Sequence, residues 1–293
     1  MKNFHKRLLH WYSLNARNLP WRTTKNPYRI LVSEMMLQQT QVSRVVGFYK
    51  EWFKKFPTLE ILSRSSKKDV LRQWSGLGYN NRALRLFALS KIIVEEYHGK
   101  FPRSNEELRK LPGIGKYTAS ALECFSFGKN VAVVDVNIIR IYSRVLWKVS
   151  SAGEKQSEKI IWTIAEKYLP ANNASVWNQA LMDLGSAVCT ARNPKCDTCP
   201  LNDECASAFS PMFQYPIATK KNNEPHYKNI PRRLYRGRIL KLLHTSSLTK
   251  QRIAISLWKS FSRSDIAWLT STLKQMKDDG LIRMNAGKVS IAE

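Results

Sequence analysis

Apolar residues recur at helical spacing through the first two hundred positions of the chain. The pattern predicts helices near 4–15, 28–57, 67–76, 81–97, 104–110, 116–127, 136–147, 154–168 and 174–188. Asn26-Pro27, Phe56-Pro57, Gly76-Leu77-Gly78, Gly99, Pro112-Gly113 and Gly128 break the periods and separate the segments. Only Val131–Val134 reads as a strand. Farther along, a Pro-, Asn- and Lys-containing stretch at 209–230 reads as a linker. Beyond it, Arg236–His244, Thr249–Trp258 and Asp265–Asp279 read as helices, the last stopped by Gly280. Leu281–Met284 and Lys288–Ala292 then alternate as a hairpin around Asn285-Ala286-Gly287. Three helices and a hairpin resemble a winged helix, a module that contacts DNA or protein. The expected architecture is therefore mainly α, with a domain at 1–208, a linker at 209–230 and a small α+β winged-helix-like domain at 231–293.

Composition narrows the class. In 293 residues there are 48 Lys and Arg against 22 Asp and Glu, a formal charge of +26. Apolar residues make up 43%, enough for a real core and too many for a disordered basic tail. No apolar run is long enough to span a membrane, and the segment starting Met1-Lys2-Asn3-Phe4 lacks the apolar core of a signal peptide. Residues 1–219 carry 32 basic and 17 acidic side chains, and residues 220–293 carry 16 and 5, so both parts are basic. Such a surplus points to nucleic acid first and an anionic membrane surface second.

Four of the five cysteines fall in one short segment, Cys189-x6-Cys196-x2-Cys199-x5-Cys205. Structural zinc sites usually carry two short Cys pairs, whereas this segment has one, so an iron–sulfur cluster competes with zinc and with unligated thiols. Cys124 lies in an apolar helix and reads as a small core residue. Leu111-Pro-Gly-Ile-Gly-Lys-Tyr-Thr-Ala119 joins two helical segments, and its glycines allow a tight turn with close backbone approach to a phosphate. An ordinary interhelical turn would have the same composition.

Two carboxylates occupy unusual settings. Helical spacing sets Glu34 beside Ile30 and Leu37 on an apolar face, where desolvation favours a protonated general acid. Asp135 closes the apolar run and precedes a helix, a position that favours the ionised form and predicts a low pKa. A neutral acid and an ionised carboxylate divide the labour of glycosidic bond cleavage. Taken singly, each residue better fits a plain role, Glu34 as a solvated side chain and Asp135 as an N-cap.

The ordered set of segments is more specific than any one of them. Leu19-Pro-Trp-Arg22, Ser33-Glu-Met-Met-Leu-Gln-Gln-Thr-Gln-Val42, Gly76-Leu-Gly-Tyr79, Leu111–Ala119, Val134-Asp-Val-Asn137, Asn178-Gln-Ala-Leu-Met-Asp-Leu-Gly185 and the four cysteines follow one another across about 10–210. The chain thereby resembles the helix–hairpin–helix DNA glycosylases of base excision repair, and among them the MutY-type adenine DNA glycosylases. The resemblance implies a [4Fe–4S] cluster on Cys189, Cys196, Cys199 and Cys205, with double-stranded DNA containing a mismatch or damaged base as partner. It implies that Glu34 protonates the departing base and that Asp135 stabilises the sugar cation, with Tyr117 and Asn137 holding these groups. Gln39 and Tyr79 match side chains that wedge into the duplex while the base is flipped out. Arg22, Leu37 and Gln179 match positions around the extruded base, and Gly113, Gly115 and Lys116 belong to the hairpin on the DNA backbone.

Three departures qualify the resemblance. Bifunctional relatives resembling endonuclease III carry a lysine where this chain has Tyr117, and Lys116 is one residue out of register, about 100° around a helix. Hydrolysis without an efficient strand-cleaving step is therefore expected. The family's Asp-Gly-Asn and Gly-Tyr-Tyr read Asp135-Val-Asn137 and Gly78-Tyr-Asn80 here. The segment after the linker is too short for the Nudix-like reader of 8-oxoguanine. Adenine removal opposite guanine or 8-oxoguanine leads, with thymine or uracil mismatch removal and hypoxanthine removal as alternatives. A non-enzymatic winged-helix regulator on a relic fold is the rival from another class. The expected enzyme is a monomer without membrane association, working inside the cell at the bacterial nucleoid or the nucleus.

Overall fold

The computed structural model describes residues 2–149, 154–214 and 224–292. The middle of the expected linker, residues 215–223, lies outside the described residues. The first helices are α1 (Lys2–Asn15), α2 (Pro27–Leu37), α3 (Val42–Lys55), α4 (Leu59–Ser63), α5 (Lys67–Trp74) and α6 (Asn81–Glu95). Then come α7 (Asn105–Lys110), α8 (Lys116–Ala121), α9 (Val136–Leu146), α10 (Glu158–Lys167) and α11 (Ala174–Ala187). The C-terminal part runs β1 (His226–Tyr227), β2 (Ile230–Pro231), α12 (Arg232–Leu243), β3 (Leu248–Thr249) and α13 (Lys250–Leu257). It ends with α14 (Arg263–Asp278), β4 (Ile282–Asn285) and β5 (Lys288–Ile291). The described residues form two compact bodies. One takes those within Met1–Ile30, Arg103–Arg109 and Ile114–Lys221, and the other those within Leu31–Pro102, Lys110–Gly113 and Asn222–Glu293.

The first body is built on α1, α9, α10 and α11. Leu8, Ile138, Ile141, Tyr142, Ile161, Trp177 and Leu181 bury their side chains in one core. Asp135 starts α9 by accepting the backbone N–H of Asn137 at 2.9 Å and of Ile138 at 2.8 Å, which satisfies two otherwise orphaned donors. Val131–Val134 forms no strand, contrary to the sequence expectation. Asn178 takes the place of a strand. Its Oδ1 accepts from Val133 N–H at 3.0 Å, and its Nδ2 donates to Val131 C=O at 3.0 Å. Asn178 is 2% exposed, so this pairing settles backbone groups that water cannot reach.

In the second body the single long helix expected over 28–57 is broken at 38–41. Arg82 supplies the reason. Its guanidinium donates to the carbonyls of Met35 at 2.8 Å, Met36 at 2.9 Å and Gln38 at 2.5 Å, so the end of α2 is closed by a side chain. The same group donates to Gly78 C=O at 3.0 Å and lies over the Trp74 ring at 5.3 Å. Burial lowers the Arg82 pKa to about 10, which leaves it charged at neutral pH. The helix α4 has five residues, too few to give a readable period, and Thr58 caps it through Ile61 N–H.

The C-terminal segment forms three helices and an antiparallel sheet of order β3-β5-β4, the element order of a winged helix. The hairpin pairs Ile282 with Ile291 and Asn285 with Lys288 across Ala286 and Gly287, both at positive φ, the turn expected from the sequence. Tyr235, Ile239, Leu243, Leu269, Leu273, Met276, Val289 and Ile291 are buried as its core. Ser262 and Asp265 close α14 with a capping box. Arg72 on α5 donates to His244 C=O at 2.7 Å, which ties this segment to the earlier helices of the same body. Among the described residues no helix is long and apolar enough to cross a membrane.

Candidate active site

Asp135 is the best-defined acid of the first body. Besides the two backbone donors, its Oδ2 accepts from Asn137 Nδ2 at 2.7 Å, so both carboxylate oxygens are oriented. The expected low pKa is not found. Burial pushes the Asp135 carboxyl up, and that effect outweighs the hydrogen bonds and the charge of Arg140. The helix start directs its donors as expected, but it lies in a recess where desolvation of the anion dominates. Arg140, which the sequence reading missed, holds this group in place. It donates to Asn137 Oδ1 at 2.8 Å, to Gly185 C=O at 2.6 Å and to Cys189 C=O at 2.8 Å. Gly185 is required for this closeness, because a Cβ there would lie 2.5 Å from Asn137 Cβ. An arginine one turn after Val134-Asp-Val-Asn137 is a readable signal, although its acceptors at Gly185 and Cys189 are not.

Arg22 and Gln179 also belong to this body. Arg22 forms a two-pronged pair with Asp183, both N–O distances being 2.7 Å, and Arg17 Nε adds a third contact at 2.6 Å. Asp183 is 1% exposed. Burial pushes its carboxyl up, but the hydrogen bonds from Arg22 and Arg17 together hold it below the ordinary range. Gln179 accepts from the Tyr12 hydroxyl at 3.0 Å, and the Arg22 guanidinium lies 5.9 Å over the Tyr12 ring. Arg22, Tyr12, Gln179 and Asp183 thus form one polar cluster. Asp183 lies within Asn178-Gln-Ala-Leu-Met-Asp-Leu-Gly185, whose spacing does not disclose its two arginine partners.

Gly115 precedes α8 with open space where a Cβ would be, as backbone contact with a phosphate requires. Tyr117 is half-buried and packs against the cluster of Ala121, Cys124, Val133 and Ala174. The neighbouring Lys116 turns its ammonium onto the face of Trp162, 4.0 Å from the ring centroid. A five-residue π segment, Leu122–Ser126, follows α8. Buried Glu123 within it pairs with Lys129 at 2.8 Å.

The second body carries Glu34, Leu37, Gln39, Tyr79 and Gly113. Glu34 is 7% exposed on α2, on the same apolar face as buried Ile30 and half-buried Leu37, as helical spacing required. Gln39 and Tyr79 are exposed, and both take left-handed backbone with φ of 54° and 49°. Neither is glycine, so both positions are strained. Arg82 links their loops through Gln38 C=O and Gly78 C=O. Gly113 has φ of 84°, and a Cβ there would come within 2.9 Å of Met35 and 3.1 Å of Arg85. Only glycine fits that turn.

Cys189, Cys196, Cys199 and Cys205 line one cavity in the first body, together with Arg144, Leu184 and Leu201. All four are free thiols, and Arg144 Nη1 donates toward Cys189 Sγ at 3.6 Å. Arg144 also reaches Thr190 C=O at 2.7 Å and Ala191 C=O at 3.0 Å, which pins the loop to α9. Four thiols around an apolar cavity with a nearby cation suit an anionic iron–sulfur cluster.

Comparison with known proteins agrees with this reading. Residues 32–167 match the model of the HhH-GPD superfamily of base excision DNA repair proteins, and residues 189–205 match the iron–sulfur binding domain of endonuclease III. A solved thermostable thymine-DNA glycosylase superposes with a TM-score of 0.65 at 31% identity, covering 73% of this chain and 96% of that one. The fold and the cysteine loop thus define an iron–sulfur DNA glycosylase of the HhH-GPD class. An adenine DNA glycosylase of Buchnera aphidicola is 38% identical over 87% of this chain and 71% of its own length. One from Mycolicibacterium smegmatis is 35% identical over 97% of this chain and 94% of its own. The chain belongs to the adenine DNA glycosylase family. The mycobacterial relative has nearly the same extent as this chain.

Proposed function

We propose that this enzyme hydrolyses the N-glycosidic bond of adenine mispaired with guanine or 8-oxoguanine in duplex DNA. Glu34 is the acid that protonates the departing base. Asp135 stabilises the positive charge developing on the sugar, with Asn137 and Arg140 fixing its oxygens, and a water completes the reaction. Gln39 and Tyr79 occupy the gap left by the flipped base, and Arg22, Leu37 and Gln179 surround the base outside the stack. Gly113, Gly115 and Lys116 hold the DNA backbone, and Cys189, Cys196, Cys199 and Cys205 hold a [4Fe–4S] cluster that orders the loop after α11. The enzyme acts as a monomer in the compartment that holds the cell's DNA.

The observation that carries this reading is the fixed geometry of Asp135, whose two oxygens are both oriented by donors on α9. A panel of duplexes with adenine, thymine, uracil or hypoxanthine opposite guanine, 8-oxoguanine, cytosine or thymine tests it. Release of adenine opposite guanine or 8-oxoguanine is expected to be fastest. The 31% identity to a thymine-DNA glycosylase, together with Gly115-Lys-Tyr-Thr118, favours thymine–guanine mismatches as the second reading. Faster thymine release would decide for it.

Reaction type has its own test. A lyase step needs an amine on the sugar, and the Lys116 ammonium is directed onto Trp162. Borohydride reduction during turnover should therefore trap little covalent protein–DNA adduct. An adduct comparable with that of a bifunctional glycosylase, lost in Lys116→Ala, would contradict hydrolysis.

A further inference from the structure

The second body contains a cleft of which the proposed function uses only Gln39 and Tyr79. Its volume is about 1370 Å³, with one wall formed by the two strained loops that carry Gln39 and Tyr79. Arg44 and Arg85 also stand on that wall, and Arg44 donates to Gly76 C=O. The lining also includes α12, the first helix of the winged-helix-like segment, which contributes Arg232, Arg233, Arg236, Arg238 and Lys241. Eight basic side chains line the cleft against a single carboxylate, Glu224. The charge is therefore concentrated around one hollow, with the loops expected to enter DNA on one side.

The basic residues of α12 are not equivalent. Arg233 pairs with Glu224, Arg236 pairs with Asp279, and Arg232 donates to Gln275 at 2.8 Å. These partners hold three side chains in place. Arg238 and Lys241 have no carboxylate partner among the described residues, and both are exposed. Between Arg236 and Arg238 sits Gly237, exposed, with nothing within 4 Å of where its Cβ would be. Glycine inside a helix costs roughly 0.5–1 kcal/mol relative to alanine, and no turn or close packing within the protein calls for it here. It leaves the helix backbone open on the side that faces the cleft.

In a helix-turn-helix module the recognition helix reads bases in the major groove. The corresponding helix here is α14, and it reaches the cleft only through Gln275. We infer that the C-terminal segment grips duplex DNA through α12 instead, as a backbone clamp facing the wedge loops. Arg238 and Lys241 contact phosphates, and Gly237 admits the sugar–phosphate chain close to the helix. Such contacts carry affinity and register but no sequence information. The inference rests on the DNA glycosylase reading and adds a binding surface to it.

The test is the salt dependence of duplex binding by the full chain, measured by fluorescence anisotropy on undamaged and adenine–8-oxoguanine duplexes. Each phosphate contact contributes about 0.9 to the slope of log K against log salt. Arg238→Ala combined with Lys241→Ala should lower the slope by about 2 and weaken binding to both duplexes. Lys274→Ala combined with Lys277→Ala, on the exposed face of α14, should leave the slope unchanged. Gly237→Leu should weaken binding without removing charge and without lowering the melting temperature, since leucine favours the helix. An unchanged slope in the α12 double variant, or a slope lost in the α14 variant instead, would overturn the clamp. Unchanged affinity in Gly237→Leu would remove the close approach at that residue. A wild-type chain that ignores duplex DNA would refute the glycosylase reading itself, and the clamp with it.

Discussion

Glu34→Gln and Asp135→Asn each abolish base release while the chain still binds its duplex. General acid catalysis contributes about 10²–10⁴ in rate, so the first substitution should lower the single-turnover rate at least that far. Glutamine keeps the shape of a side chain that is 7% exposed on α2 and removes its transferable proton. The second substitution is equally conservative in structure. Asparagine caps helices as well as aspartate does, so the bonds to Asn137 and Ile138 N–H can persist while the negative charge is lost. Burial raises the Asp135 pKa, which also predicts how activity fades in acid. The ionised form is lost as pH falls through a value above that of an ordinary aspartate, so the acid limb of the rate profile should lie above it too. Single-turnover rates and anisotropy on the same duplex check all three points. Loss of binding in step with loss of rate would show that these residues support the fold rather than the chemistry.

The second large effect is on stability. Asp183→Ala removes the carboxylate that Arg17 and Arg22 share, at a position 1% exposed. Breaking a buried ion pair from one side costs about 3–5 kcal/mol, because buried charge loses its compensation. Against a usual total of about 5–15 kcal/mol, that is a large fraction. A fall in melting temperature of roughly 10 °C is expected for a chain of this size. The sign with pH follows from the depressed Asp183 pKa. Its contribution is present above the unfolded carboxylate value and disappears as pH falls through the folded one. The gap between wild type and variant should therefore close in acid. A shift of only 1–2 °C (about 0.5 kcal/mol) at neutral pH would mean that the arginines find water or other acceptors without cost.

How much of this was readable in the sequence depends on the range of the interaction. The C-terminal hairpin was legible because Asn285-Ala286-Gly287 sits between two alternating runs, and turn chemistry is local. Helices α9 and α11 were legible from their apolar stripes. The break at 38–41 was not, because it is made by Arg82, more than forty positions away. The missing strand at Val131–Val134 has the same origin, since Asn178 supplies the hydrogen bonds that a neighbouring strand would have supplied.

The candidate site shows the same division. The residue types and order of Glu34, Asp135, Tyr117 and the four cysteines pointed to a chemistry and a family. What local reading misjudged was the balance at Asp135, where a helix start argues for a low pKa and the surrounding recess raises it. The contacts of Arg140 with Gly185 and Cys189, and those of Asp183 with Arg17 and Arg22, are not legible because they span more than 40 and 160 positions.

One measurement bears most directly on the central claim. The enzyme in excess is mixed with a duplex holding a single adenine opposite 8-oxoguanine, and the free base and the strand are analysed from one turnover. The account predicts free adenine in amounts matching an abasic strand that stays intact until alkali cleaves it. No adenine release while a thymine–guanine duplex is processed, or release from neither, would contradict it.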